Sequence, residues 1–339
     1  LMSFGELFPS LTGSTARPRP QVRYSSCESG RPQAPNTGDR REGGNMASNC
    51  KRIKPVRWLA SAAVLAASCV VGCGGQPLDP WHTARLQTEF TAKDADEVTS
   101  FDDYLALEER LFEELRDEVY SEVPTGPEHA LNRYSSGSAA DPLTRDPNFN
   151  RTFELPVEQP RGGVLLLHGL TDSPYSLRAL GERLHEQGYY IVGLRLPGHG
   201  TVPASLKKAR WQDWAAAHQR LLELMAAEVD DMYLLGFSAG ATLNLYQSMH
   251  NACIKGLFLF APALRISAMA RLAGPLSHFG NWWQRFSWFE LQPDSDYFKY
   301  ESLTNRAIHE VYEMIKEVRR LASCAEPQLP VFVAASEND

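Results

Sequence analysis

From Arg151 onward, apolar runs of strand length alternate with amphipathic stretches of helical length, and no other feature constrains the fold as strongly. RTFELPVE alternates like an edge strand, GGVLLLHG is a continuous apolar run, and SPYSLRALGERLHEQG has the spacing of an amphipathic helix closed by Gly188. YYIVGLRLPGHG supplies a second buried strand and WQDWAAAHQRLLELMAAE a second helix. DMYLLGFSAG with ATLNLYQSMH repeats the step, and KGLFLFAPA and LPVFVAAS add two more strands. Strands that are apolar throughout must be covered on both faces. The alternation therefore predicts an α/β fold, a mostly parallel sheet with helices on both faces. This core is expected over residues 149–263, with a helical, aromatic-rich insertion over 264–326 and a further core strand over 327–339.

Upstream, residues 99–148 read as an acidic helix followed by a loop. Ser100 and Asp103 make a capping-box start, and Phe101, Tyr104, Leu105, Leu107, Leu111, Phe112, Leu115 and Val119 fall mostly on one face. The acidic positions between them are expected to face solvent, with docking of a cationic partner as the alternative. Residues 134–148 carry turn and breaker residues throughout.

The beginning of the chain has a different character. Residues 1–45 lack apolar periodicity and are expected to be a disordered or mis-annotated leader. Met46 then opens a basic stretch with Lys51, Arg52, Lys54 and Arg57, an apolar run WLASAAVLAASCVV, and small residues ending in Gly72 and Cys73. That run is short for a bilayer span, and its flanks fit a secretory signal over 46–72. Val70, Val71, Gly72 and Cys73 resemble the lipobox of bacterial lipoproteins, which implies lipidation of Cys73, with Cys69 as the alternative. The implied protein is exported and held to a membrane of the bacterial cell envelope by acyl chains, residues 73–98 serving as a tether. Cys253 and Cys324 would then be the remaining thiols, and two cysteines alone do not say whether they pair.

A net charge of −7 over 339 residues, with no basic stripe, argues against a nucleic-acid partner. No His/Cys/carboxylate spacing of a metal site occurs, so neither a metal nor an organic cofactor is expected.

The chemistry centres on Gly236, Phe237, Ser238, Ala239 and Gly240. GxSxG alone recurs by chance, but here it leaves an apolar strand and enters a helix. Gly236 and Gly240 permit the strained turn that lifts a serine hydroxyl out of a sheet, making Ser238 a candidate nucleophile. The helix behind it adds partial positive charge where an oxyanion would develop. The LLLHGLTDSP loop is placed to complete an oxyanion hole, the Leu170 amide joining that of Ala239, with Gly169 letting the backbone turn. His168 reads as a structural residue of that loop rather than a base.

Taken together, HGLTDSPYSLRALGERL, LRLPGHGT, WQDW, LLGFSAG and PVFVAASEND resemble the α/β-hydrolase fold, and within it the carboxylesterase and monoacylglycerol-lipase-like group with its S33-type serine aminopeptidases. The resemblance spans roughly residues 150–339. It implies Ser238 as nucleophile, Asp339 as the acid that orients the base, Leu170 and Ala239 as oxyanion donors, and a lid over an acyl pocket in the insertion. Trp282, Trp283, Phe286, Trp288, Phe289, Tyr297, Phe298 and Tyr300 would suit an acyl chain there, or would simply pack the lid onto the core. Ala241 and Ala239 stand where the group often has a glycine and a larger residue. Neither change touches the backbone amide the chemistry needs.

In this fold the histidine base follows the acid in the chain, yet all nine histidines precede Asp339. His199 and His250 read as surface or loop residues, and His278 and His309 break the chain order. The base and the closing strand and helix are therefore expected to lie in a continuation, and the chain up to Asp339 is expected to hydrolyse esters poorly. The expected function is a serine hydrolase acting through an acyl-enzyme on small esters, short-chain or monoacylglycerol-like. The rivals are a peptidase or acyltransferase of the same fold and a non-catalytic lipoprotein binding module.

Overall fold

The computed structural model describes residues 78–265, 270–279, 284–323 and 329–336. The expected leader, the expected signal and lipobox-like segment with Cys73, the Cys324 thiol and Asp339 lie outside the described residues. The strands are β1 (Phe153–Leu155), β2 (Gly163–Leu167), β3 (Tyr190–Leu194), β4 (Met232–Phe237), β5 (Ile254–Phe260), β6 (Trp288–Glu290), β7 (Leu303–Thr304) and β8 (Val331–Ala334). The longer helices are α1 (Phe101–Glu118), α2 (Tyr175–His185), α3 (Trp211–Met225), α4 (Ala239–Ser248), α5 (Ala270–Phe279) and α6 (Asn305–Ala322).

Six strands form one sheet in the order β1-β3-β2-β4-β5-β8. The edge strand β1 runs antiparallel to β3, and the other four pairings are parallel. Strand periodicity sends alternate side chains to opposite faces. Leu165, Leu167, Val192, Leu194 and Leu234 pack with Leu221 of α3, Leu243 of α4 and Met314 of α6. Val164, Leu166, Ile191 and Leu235 pack on the other face against Leu177 and Leu184 of α2. Each such side chain fully removed from water contributes about 1.5–3 kcal/mol, which is why β2 and β3 tolerate no polar position. The doubly covered, mostly parallel sheet is the one the alternation predicts, and it is the α/β-hydrolase fold that the resemblance implies.

Upstream of the sheet, the tether expected over residues 73–98 does not hold from residue 78 on. Trp81, Leu86, Phe90 and Val98 are buried, Phe90 and Val98 in the main core. These four apolar residues, scattered in a polar stretch, have no helical or strand period, and only their tertiary partners make them core. Helix α1 begins as its sequence predicts: Ser100 Oγ accepts the Asp103 N–H at 3.1 Å and Asp103 Oδ2 accepts the Ser100 N–H at 2.9 Å. Its acidic residues are not all solvated. Glu108 is fully buried and bonds Arg195 Nε at 2.9 Å, the Thr152 N–H at 2.9 Å and Thr152 Oγ1 at 2.7 Å. Glu89 closes the other side of the same guanidinium with two bonds, 2.9 and 3.0 Å.

The insertion over 264–326 also divides differently from expectation. Val311, Met314 and Ile315 of α6 belong to the main core, so this helix is a layer of the fold rather than part of a lid. Of the ring side chains, Trp288 and Tyr300 are buried, Tyr297 and Phe298 are half-buried against Tyr175, and Phe286 and Phe289 are exposed. Trp282 and Trp283 lie outside the described residues.

Candidate active site

Strand β4 ends at Phe237 and α4 begins at Ala239, so Ser238 alone makes the turn between them. Its backbone sits at φ 52°, ψ −115°, a conformation that L-residues with side chains rarely adopt and that costs on the order of 1–3 kcal/mol. The surroundings hold it there. The Ser238 N–H donates to the Phe260 carbonyl at 2.9 Å, and its own carbonyl accepts from the Ala263 N–H and the Thr242 N–H, each at 3.2 Å. Glycines flank it because nothing larger fits. A Cβ on Gly236 would lie 2.7 Å from the Ala241 amide nitrogen, and one on Gly240 would lie 2.4 Å from the His168 carbonyl oxygen. Ser238 itself remains half-exposed at the strand exit.

The close approach at Gly240 brings the end of β2, and with it the loop from His168 to Ser173, against this turn. Gly169 lies beside the nucleophile, a Cβ there coming within 3.4 Å of Ser238 Cβ. Leu170 follows, half-buried against Leu206 and Tyr300, and its N–H has no acceptor among the described residues. Ala239, as the first residue of α4, also has no intrahelical acceptor for its N–H. The structure thus brings together Ser238, Gly236, Gly240, Ala239 and Leu170. Asp339 cannot be placed with them, since it lies outside the described residues.

His168 is fully buried and has both ring nitrogens engaged. Nε2 accepts the Leu196 N–H at 3.1 Å, so Nδ1 carries the hydrogen and donates to the Gly169 carbonyl at 2.8 Å. Burial lowers its pKa to about 4, outweighing the bond to Gly169, so the ring is neutral at ordinary pH. His199 lies in a loop, one of the two places expected for it, but not at the surface. It is fully buried, packed 5.0 Å from the His168 ring and 5.7 Å from Trp214, and burial holds its pKa well below the usual imidazole value. His250 is exposed, its Nδ1 bonded to the Tyr246 carbonyl at 2.8 Å. His309 packs against Gly274 of α5, and the side chain of His278 lies outside the described residues. Among the described residues no histidine is hydrogen-bonded to the Ser238 hydroxyl.

Several residues around this site escape a reading of the sequence. His218 and Asn244 meet behind the turn, Nε2 to Oδ1 at 2.9 Å, and Asn244 is the side chain against which Gly236 packs. Tyr300, from the insertion, donates its N–H to the Thr171 carbonyl at 2.7 Å. Thr171 has φ 66° and directly follows Leu170. Only Glu108 carried a visible signal: it lies four residues after Tyr104 and three before Leu111, on the apolar stripe of α1.

A strained serine between a central parallel strand and the helix behind it, facing a glycine loop from the neighbouring strand, defines an α/β hydrolase. The chain belongs to the serine aminopeptidase S33 family, whose sequence pattern matches residues 158–339. Over 108 residues it is 34% identical to a thermostable monoacylglycerol lipase of Bacillus sp. (strain H-257), a match covering 32% of this chain and 43% of that protein. Among solved structures it is similar to a metagenome-derived lipolytic enzyme, with 21% identity, 56% of this chain and 76% of that one covered, and a TM-score of 0.46. It is also similar to the Paleococcus ferrophilus monoacylglycerol lipase, with 18% identity, 54% and 76% coverage, and a TM-score of 0.43.

Proposed function

We propose that this protein is a serine hydrolase that cleaves small carboxylic esters, short-chain or monoacylglycerol-like, through an acyl-enzyme on Ser238. The strained φ of 52° at Ser238, opposite the Gly169 loop, is the observation that carries the reading. A substrate carbonyl over the Ser238 hydroxyl would be attacked by Oγ, and the negative charge developing on its oxygen would meet the amides of Leu170 and Ala239 and the N-terminus of α4. Asp339 is the proposed acid, orienting a histidine base that takes the serine proton. His168 does not serve as that base, since both its nitrogens are occupied by backbone groups. The similarity to a monoacylglycerol lipase supports the ester and lipid class. The exposed Phe286 and Phe289 suit an apolar substrate, and the lipobox supports a location on the bacterial envelope membrane through Cys73.

The family's aminopeptidase description favours a second reading, cleavage of amides by the same serine. A panel of p-nitrophenyl esters from acetyl to lauroyl, monoacylglycerols and aminoacyl anilides, run on the full-length protein and its Ser238→Ala variant, separates them. Ester turnover that Ser238→Ala abolishes is the expected result. Turnover confined to anilides would replace the ester reading, and a wild-type protein that neither turns over nor reacts with a fluorophosphonate would leave a non-catalytic binding module.

A further inference from the structure

Arg133 belongs to the segment upstream of the 158–339 family match, and it is fully buried. Its guanidinium donates to three carbonyls, Asp296 at 2.8 Å, Lys299 at 3.2 Å and Gly200 at 3.4 Å, and among the described residues it is hydrogen-bonded to no carboxylate. The buried Asp294 carboxylate and the Tyr134 and Tyr300 rings balance the charge from nearby, and the guanidinium strongly polarises the carbonyls it touches.

The contact to Lys299 has a consequence that runs toward Ser238. A trans peptide unit is planar, with its C=O and N–H pointing in opposite directions, so the Lys299 carbonyl and the Tyr300 N–H are two ends of one rigid plate. Arg133 holds the carbonyl end at 3.2 Å, and the Tyr300 N–H donates to the Thr171 carbonyl at 2.7 Å. That carbonyl is one end of the next plate, whose Asp172 N–H donates to the Gly169 carbonyl at 3.2 Å. The Gly169 carbonyl, which also accepts from His168 Nδ1 at 2.8 Å, is one end of a third plate. The other end of that plate is the Leu170 N–H.

We infer that Arg133 is a positioning residue for the oxyanion hole, acting through three peptide units in series that orient and polarise the Leu170 N–H. Each plate is anchored at its carbonyl, which fixes the direction of its N–H. All three dipoles run from the guanidinium toward Leu170, so electron density drawn to each carbonyl oxygen makes the following N–H a better donor. Tyr300 is kept in place by the ring contact with Arg133, 5.4 Å to the centroid, and by its hydroxyl, which accepts the Thr201 N–H at 2.7 Å. The segment before the hydrolase domain thereby contributes to the reaction without touching substrate.

The inference rests on the ester-hydrolase reading of Leu170, so its test must fail separately. Steady-state kinetics on the full-length wild type, Arg133→Met and Arg133→Lys are read for kcat and KM, with amide hydrogen exchange followed at Asp172, Tyr300 and strand β4. Loss of a whole oxyanion donor costs about 10²–10³ in kcat, so a weakened and misaligned one is expected to cost about tenfold, with KM within about twofold. Arg133→Lys, which keeps the charge but not the fork, should recover part of the loss. The Asp172 and Tyr300 amides should exchange faster in Arg133→Met while β4 is unchanged, a readout independent of turnover. Ester turnover in wild type with kcat unchanged in Arg133→Met overturns the relay and leaves the ester reading standing. Wild type without Ser238-dependent turnover removes the ester reading, and the inference with it. Exchange that rises equally in β4 marks Arg133 as a general stability residue and also overturns the relay.

Discussion

Replacing Arg195 by Met should be among the most destabilising single changes in this protein. Arg195 is fully buried between two carboxylates from the upstream segment: Glu108, also fully buried, at 2.9 Å, and Glu89, mostly buried, at 2.9 Å. Its Nη1 also donates to the His199 carbonyl at 3.0 Å. Met fills much of the volume, so the loss is electrostatic: Glu108 keeps its bonds to Thr152 but becomes a buried charge without a cation. Breaking a buried pair from one side costs about 3–5 kcal/mol. With a urea slope near 3 kcal/mol/M, as for larger domains, the midpoint should fall by about 1–1.7 M in a denaturation curve followed by tryptophan fluorescence. Adding Glu108→Gln to Arg195→Met should restore about 1–2 kcal/mol, because a neutral amide oxygen still accepts the Thr152 N–H without a stranded charge. A loss below about 1 kcal/mol for Arg195→Met, the value of an exposed pair, would refute the reasoning.

Two further outcomes follow from the same buried network and close packing. His168 and His218 are held neutral by burial, with pKa values lowered to about 4, while in the unfolded chain each titrates near about 6.5. Below that value the unfolded state takes up protons the folded state refuses, so their stabilisation is complete above pH 6.5 and is lost as pH falls, about 1.4 kcal/mol each by pH 5.5. Asp294, raised to about 6 chiefly by burial, works in the opposite direction, as do Asp79 and Asp172, also raised by burial, while His82 and His199, lowered by burial, add to the histidine effect. Calorimetry should therefore find a lower Tm at pH 5.5 than at pH 7, and an equal or higher one would show that these histidines are not desolvated. Gly240→Ala would place a methyl 2.4–2.5 Å from the carbonyl oxygens of His168 and Leu167. It should cost about 1–3 kcal/mol and lower kcat by separating the Leu170 loop from Ser238, and a variant with wild-type stability and kcat would contradict that close approach.

The core of this protein was legible in its sequence because its determinants are local. A run such as GVLLL can satisfy its side chains only between two covering layers, and helix spacing does the rest, so β2 through β5, α2 and α3 appear close to where the alternation places them. The turn at Ser238 was legible for the same reason: a glycine two residues to either side of the serine is a steric statement about four consecutive peptide units. What tertiary structure decided is non-local and polar. Nothing near Glu108 or Glu89 in the chain announces Arg195, which lies 87 and 106 residues away. Arg133 likewise meets Lys299 across 166 residues. The stretch from residue 78 to 98 looked like a polar tether because four apolar side chains without a period have no meaning until a core receives them, and α6 looked like lid until its apolar face met α4. Periodic burial can be read from spacing alone, whereas a buried charge is stable only beside a partner whose position the fold supplies.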